Sequence, residues 1–408
     1  MTFRVKTFVR PDGETYPMLV DEHGMPEFYP TYFITSQIRG GGLSLSSMEQ
    51  HLYSIMILYK MCIANSIDLE GRIISLEFLS IRELDEIRDC CTRRSGRPQN
   101  SDAISLAKMR KKRKGLAGNT QYTYLTCIAT YVKWLSELLL ARKRFDLSTA
   151  KRIGALYDAI LIRRSIPAPK TIDNANGKGI TKEQELRLFQ ILRPGSVENP
   201  FSNFGLQFRN YLFVKMLRAL GPRRGEVLNL CISDIDFSSN GLYIVRHNDV
   251  IDDPRKRQPK VKTKERYLIL SDSLIAEIRY YIIEIRKRIP NSRRHPYLFV
   301  VHKSGPTLGR PLSISGQEQI FKVLAKKNPD MSIHAHLLRH TWNDRYSEVM
   351  DENQANSSDE IEQWRNLLQG WAQGSKMSAL YNARHIQRKA NEASLKAQNE
   401  LENRCRVS

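Results

Sequence analysis

The chain has 408 residues, of which 41% are hydrophobic, enough for buried cores and for two or three domains. A formal net charge of +21 and a pI near 9.7 favour a polyanionic partner, with nucleic acid ahead of a membrane surface. Lys60 and Lys133 interrupt the longest apolar runs, the N-terminal MTFRVKTFVRPDGE lacks the apolar centre of a signal peptide, and six cysteines, Cys90-Cys91 among them, include no CxxC spacing. These features argue against a membrane span, a secreted disulfide scaffold and a zinc site. They lead to the expectation of a cytoplasmic, nucleoid-associated protein.

Residues 1–42 are rich in β-forming types and punctuated by Pro11-Asp12-Gly13 and Gly40-Gly41-Gly42, which predicts short strands with tight turns and no assignable role. Over 43–165 the spacing turns helical. Leu52, Ile55, Met56, Tyr59 and Ile63 follow Ser47-Met48-Glu49-Gln50 at helical intervals. Tyr124, Ile128, Tyr131, Val132, Leu135 and Leu138 mark a second apolar face over 120–140. Between them lie Arg110, Lys111, Lys112, Arg113 and Lys114. In so basic a chain, phosphate contact is favoured over a merely solvated face.

Residues 166–180 read as an extended linker, because Pro167, Pro169 and small polar residues stop a helix and bury little. Helix resumes at Thr181, and 204–220 reads as a buried helix ended by Gly221-Pro222. Residues 242–245 and 267–270 read as strands joined by a basic connection. Helices are expected over 271–288 and 334–350, and Ser357 to Glu360 is a capping box for another. Ser375 can cap a short helix carrying Tyr381, and 383–408 is a polar, helix-prone tail.

The residues with chemical content fall in the second half. A phosphodiester resists nucleophiles, and attack adds charge to its non-bridging oxygens. Fixed cationic donors can stabilise that charge, and arginine offers a planar, permanently charged fork. Arg223, in Gly221-Pro222-Arg223-Arg224-Gly225-Glu226, and Arg339, in His336-Leu337-Leu338-Arg339-His340, are the candidates. His336 lies one helical turn before Arg339 and can donate to the phosphate or move a proton. His340 shares the His336 face and reads as a supporting hydrogen-bonder, and Glu226 as a structural partner orienting Arg223. A phenol can store the bond energy as a covalent ester, and Tyr381 is the candidate nucleophile.

This order of residues resembles the tyrosine recombinase family, the phage integrases and their relatives, over about 178–385. The resemblance implies an α+β catalytic domain at 181–382, mainly helical with a small antiparallel sheet, and a helical DNA-binding module at 43–165 that clamps the duplex with it. It implies that Leu368-Gln369-Gly370-Trp371 occupies the family's Gly-His turn, so that Trp371 supports the phosphate through one N–H and cannot transfer a proton. It implies a hairpin lysine as acid for the leaving oxygen, with Lys262 the best match and Lys264 the second. The neighbours Arg255, Lys256, Arg257 and Lys260 would touch backbone phosphates. Trp371 to Tyr381 is one residue longer than the family spacing, which keeps Tyr346 as a second candidate nucleophile.

The implied activity is site-specific strand exchange on double-stranded DNA through 3′-phosphotyrosine links and a Holliday junction, for integration, excision or transposition of a mobile element. It would need no metal, ATP or other cofactor, and would proceed in a homotetramer or dimer of dimers with possible accessory recombinases. Two other readings use the same features: a type IB-like topoisomerase, and a non-catalytic DNA-binding regulator. A metal-dependent nuclease has only Asp252-Asp253 in its favour.

Overall fold

The computed structural model describes residues 2–11, 14–41, 44–92, 118–141, 146–165, 179–247, 253–255, 258–259, 261, 263–328, 331, 333–352, 357–372, 374–375, 378, 381, 386, 390–391, 393–396 and 398–399. The chain divides into two units, Met1–Thr171 and Ile172–Ser408.

In the first unit, β1 (Arg4–Val9) and β2 (Thr15–Val20) form an antiparallel pair, with Arg4 opposite Val20 and Val9 opposite Thr15. β2 turns Tyr16, Leu19 and Val20 inward. The strand expectation for 1–42 ends there. Phe33, Ile34 and Ile38 recur at helical spacing, and they are buried by α1 (Phe28–Phe33) and a π turn over Ile34–Arg39. Then come α2 (Leu45–Ala64), α3 (Leu69–Ile74), α4 (Ile81–Thr92), α5 (Gly118–Leu140) and α6 (Leu147–Ile162). Asp68 and Asp146 cap α3 and α6 by accepting the N–H groups of Gly71 and Thr149. Leu52, Ile55 and Leu58 of α2 meet Leu125, Ile128, Tyr131 and Leu135 of α5 in one core. Ile63, expected on the same face, is exposed because α2 ends one residue later.

The second unit begins with α7 (Lys182–Leu192), opened by a Thr181–Gln184 capping box. α8 (Phe204–Leu220) buries Leu212, Phe213, Val214, Met216 and Leu217, as its apolar sequence predicts. A short α9 (Arg224–Asn229) leads to three antiparallel strands in the order β3 (Ile235–Asp236), β4 (Gly241–Ile244), β5 (Arg266–Ile269), with Leu242 opposite Leu268.

The helix expected over 271–288 is broken. α10 (Asp272–Tyr280) passes into a π turn over Tyr281–Ile285 and a 3-10 turn over Arg286–Arg288. The buried Arg286 explains the change, because it donates to the carbonyls of Ser292, His295, Tyr297 and Leu298 and draws the helix end inward. α11 (Ile314–Lys327), α12 (Ala335–Glu352) and α13 (Ser358–Gln369) complete the unit, and the Ser357–Glu360 capping box forms as expected. Leu217, Leu242, Leu268, Phe299 and Leu338 close the core beneath the turns that carry the site residues.

The fold is mainly helical with small antiparallel sheets. Among the described residues no helix is long and apolar enough to cross a membrane. Leu217 is fully buried in α8. Leu217→Ala should therefore lower stability by about 2–5 kcal/mol, read from the urea midpoint at unchanged slope, and a wild-type midpoint would contradict the core described for α8.

Candidate active site

α8 ends at Gly221 in the left-handed region, with φ of +64°. A Cβ at Gly221 would also lie 2.7 Å from the Trp342 ring, so glycine is required twice over. The reversal delivers Arg223 to the start of α9, where its backbone N–H donates to Glu226 Oε2 at 3.0 Å. Glu226 is completely buried, and its main partner is an arginine that sequence reasoning did not single out. Arg266 Nη2 donates to Glu226 Oε2 at 2.7 Å, and Thr263 Oγ1 donates to Glu226 Oε1 at 2.6 Å. Arg266 Nε donates in turn to the Leu368 carbonyl at 2.7 Å. One guanidinium thus joins α9, the strand β5 and the end of α13.

Burial pushes the Glu226 carboxyl up, but the charge and hydrogen bond of Arg266, then Thr263 and Arg339, hold it below its ordinary value. Arg223 Nη1 lies 3.7 Å from Glu226 Oε1 and is buried with no hydrogen-bond partner among the described residues. The Arg223 guanidinium is pushed down by burial, with Arg266 adding to the effect and Glu226 opposing it.

Arg339 and His340 are buried on α12. Arg339 Nη1 donates to the Gly221 carbonyl at 2.7 Å and Nη2 to the Gln369 carbonyl at 3.4 Å. Burial first, then Arg223, push the Arg339 guanidinium down to about 9, so it stays charged at neutral pH. His336 and His340 stand one turn apart with ring centroids 4.4 Å from each other.

α13 ends at Gly370, with φ of +63°. A side chain at Gly370 would strike the Lys264 carbonyl and Arg266, each 2.8 Å from an added Cβ, and the Lys264 N–H donates to the Gly370 carbonyl at 3.0 Å. The hairpin root and the Gly370-Trp371 turn are therefore one unit. Trp371 stacks on Tyr381 at 5.7 Å and 12°, and Arg339 lies 5.3 Å from the indole centroid. Trp371 Nε1 is buried and has no hydrogen-bond partner among the described residues. Tyr381 is 2% exposed, and its hydroxyl meets His340 Nδ1 at 2.6 Å. Tyr346 instead packs between Trp342 and Arg365, and burial raises its phenol pKa.

Arg223, His336 and Arg339 line a cavity of about 590 Å³, with Arg224, Glu318 and Lys322 at its sides. The cavity is large enough for a phosphodiester and presents cationic donors to it. Among the described residues, Cys231, Asp234 and His247 bring three metal-ligand-type atoms within 4.8 Å of one another. Asp234 Oδ2 already accepts the Cys231 N–H and meets His247 Nε2, both at 2.8 Å, which accounts for the group as a hydrogen-bonded corner beside β3.

The sequence-based basic set divides. Lys264 is exposed. Arg255 corrects its expectation as a phosphate contact: it is buried, pairs with Asp253 at 2.6 Å, donates to the Leu228 carbonyl and lies over the Tyr297 ring. A guanidinium so bonded has no face left for DNA. Arg110, Lys111, Lys112, Arg113, Lys114, Lys256, Arg257, Lys260 and Lys262 lie outside the described residues. So do most of the linker 166–180 and much of the tail 383–408. Arg266 and Arg365 were missed. The signal for Arg266 was strand alternation, since Arg266 and Leu268 point inward while Tyr267 and Ile269 point out.

Residues 178–355 match the phage integrase family. The match spans less than half of the chain, the part that carries Arg223, His336, Arg339 and His340. The chain is a tyrosine recombinase, an enzyme of site-specific recombination. The recombinase is 24% identical over 275 residues to the tyrosine recombinase XerD of Halalkalibacterium halodurans, covering 60% of this chain and 83% of that protein. Among solved structures, it resembles the Tn1549 transposon integrase in complex with circular intermediate DNA, with a TM-score of 0.51 at 13% identity over 86% of this chain and 93% of that one. At that identity the likeness is one of fold.

Because Arg266 and Glu226 are an interior pair, Glu226→Gln should cost the recombinase about 3–5 kcal/mol near pH 7. The wild-type carboxyl sits below its ordinary value of 4.5. Its contribution is complete above that pH and is lost as pH falls through the lower, folded value. Urea midpoints taken downward from pH 6 should therefore fall less steeply in Glu226→Gln than in wild type. Equal acid slopes would remove the charge pair as the cause.

Proposed function

We propose that Arg223 and Arg339 grip the non-bridging oxygens of one phosphodiester in double-stranded DNA while Tyr381 attacks its phosphorus. The Tyr381 Oη–P bond forms and the P–O5′ bond breaks. The products are a 3′-phosphotyrosine and a free 5′-hydroxyl, which takes its proton from a hairpin lysine, Lys262 first and Lys264 second. Attack by the 5′-hydroxyl of a partner strand then reverses the chemistry and rejoins the DNA. His336 and the indole N–H of Trp371 donate to the same phosphate.

The observation that carries this reading is the contact series Arg339–Trp371–Tyr381–His340 beside a cavity lined by Arg223 and His336. Guanidinium groups supply the positive charge that the transition state requires, and each remains protonated as the phosphorane forms. The net charge of +21 supports a DNA partner, and so does the fold shared with the Tn1549 integrase, whose solved structure holds circular intermediate DNA. Strand exchange would take four copies on two duplexes, acting for a mobile element in the cytoplasm beside the nucleoid.

Tyr381→Phe should bind the cognate site as wild type does and form no covalent adduct on a nicked suicide duplex, as read by denaturing gels. An adduct in that variant would remove Tyr381 from its role. Arg339→Ala should slow adduct formation by about 10²–10³-fold or more, because each lost donor to the developing charge costs about that much. Wild-type cleavage rates in Arg339→Ala would refute the clamp.

A further inference from the structure

The HxxRH motif contains two histidines, and the structure separates them. His336 lines the cavity, beside Arg223 and Arg339. His340, one turn along α12, is 9% exposed and is the residue whose ring nitrogen meets the Tyr381 hydroxyl, at 2.6 Å. Trp371 lies flat against the phenol ring, so the hydroxyl is held toward the imidazole.

We propose that His340 Nδ1 is the general base of the cleavage step and returns the proton to Tyr381 on rejoining. This rests on the reading of Tyr381 as the nucleophile. The role requires the tautomer in which Nδ1 accepts from the hydroxyl and the ring proton sits on Nε2. In the cleavage step the Tyr381 Oη–P bond forms, the P–O5′ bond breaks, the phenol proton passes to His340 Nδ1, and the leaving oxygen takes a separate proton from the hairpin lysine. Rejoining runs each transfer backward, so no proton is gained or lost over a full exchange. His336 is left as a donor to the phosphate.

The surrounding charges fit this division. Arg223 from the turn before α9, Arg339 from α12 and Arg365 from α13 all act on the Tyr381 oxygen. Three cations favour the phenolate. The same cations, with His336 at 4.4 Å, oppose an imidazolium at His340 until an anion is present. Glu226 lies 3.7 Å from Arg223 and is engaged with Arg266 at 2.7 Å. A phosphate between the arginines offsets their field, so proton transfer becomes favourable only once DNA is bound. Arg365 is fully buried and donates to Ser347 Oγ at 2.7 Å, which makes it a fixed part of this field. It acts through Tyr381 and is a positioning residue.

The test is single-turnover cleavage by the full-length recombinase on two nicked suicide duplexes. One has the ordinary linkage. The other has sulfur at the bridging 5′ position, a leaving group that needs no proton. His340→Asn retains a hydrogen-bond acceptor near Nδ1 but cannot take a proton, and DNA binding and thermal melting report whether it folds. His340→Gln serves as a second acceptor variant if Asn is unstable.

The expected result is a loss of about 10²–10⁴-fold on both duplexes, since a base is needed in each. The variant rate should also climb with pH, up to about tenfold per unit, because solvent must then supply the phenolate. Lysine variants, by contrast, should recover on the sulfur duplex. Near-wild-type cleavage by the Asn or Gln variant, or recovery on the sulfur duplex, would overturn the assignment of His340. Absence of any adduct in the wild type, on either duplex, would instead overturn the reading of the site itself.

Discussion

The buried pair between Arg266 and Glu226 is the interaction on which the site depends. Neither partner is exposed beyond 1%, so each charge is tolerable only because of the other. The pair's value lies in what it connects. Glu226 holds the backbone entry to α9 and so orients Arg223. Arg266 holds the end of α13 and so fixes the Gly370-Trp371 turn. Arg339 spans the same two places from a third direction, donating to the carbonyls of Gly221 and Gln369. A site whose parts lie far apart in sequence is thereby held by two guanidinium groups acting as rigid forks.

Two glycines make this possible. Gly221 and Gly370 each end a helix in the left-handed region, and each is packed so closely that a methyl group would collide with its neighbours. The helix before each turn is a packed element, and the residues after it are the ones that face the cavity or Tyr381. The geometry of the candidate site is therefore set by helix termination. At both termini the carbonyls left over by the ending helix are used: Gly221 and Gln369 accept from Arg339, and Leu368 accepts from Arg266.

Much of this was legible in the residues themselves. The apolar spacing marked α5 and α8, and of the residues singled out by their order, Arg339, Trp371 and Tyr381 lie together in the structure. Basic residues were the poorest guide. Arg209, Arg255, Arg266, Arg286 and Arg365 are all interior, satisfied by carbonyls, carboxylates or side-chain oxygens. A charge count treats them like the surface lysines. Only their partners, distant in sequence, distinguish a structural arginine from one that could meet a phosphate. The strand expectation over 1–42 holds for β1 and β2 and gives way to helical turns over 28–39 for a related reason. Tyr, Phe and Ile suit either a strand or a buried helix, and Phe33, Ile34 and Ile38 had a core to enter only through packing against later helices.

The same contrast between donors and acceptors bears on the chemistry. Arg223, Arg339 and the indole of Trp371 can only donate, and a protonated hairpin lysine can only donate. Around a phosphate this is an advantage, since every group stabilises the anion. It also means that none of them can receive the proton that Tyr381 would lose as the proposed nucleophile. Where the family's turn carries histidine, a second imidazole could share that task, but Trp371 cannot. The indole instead stacks against Tyr381, with its N–H buried and without a partner among the described residues. Among the described residues, the group that the tyrosine hydroxyl meets is the ring nitrogen of His340, on α12.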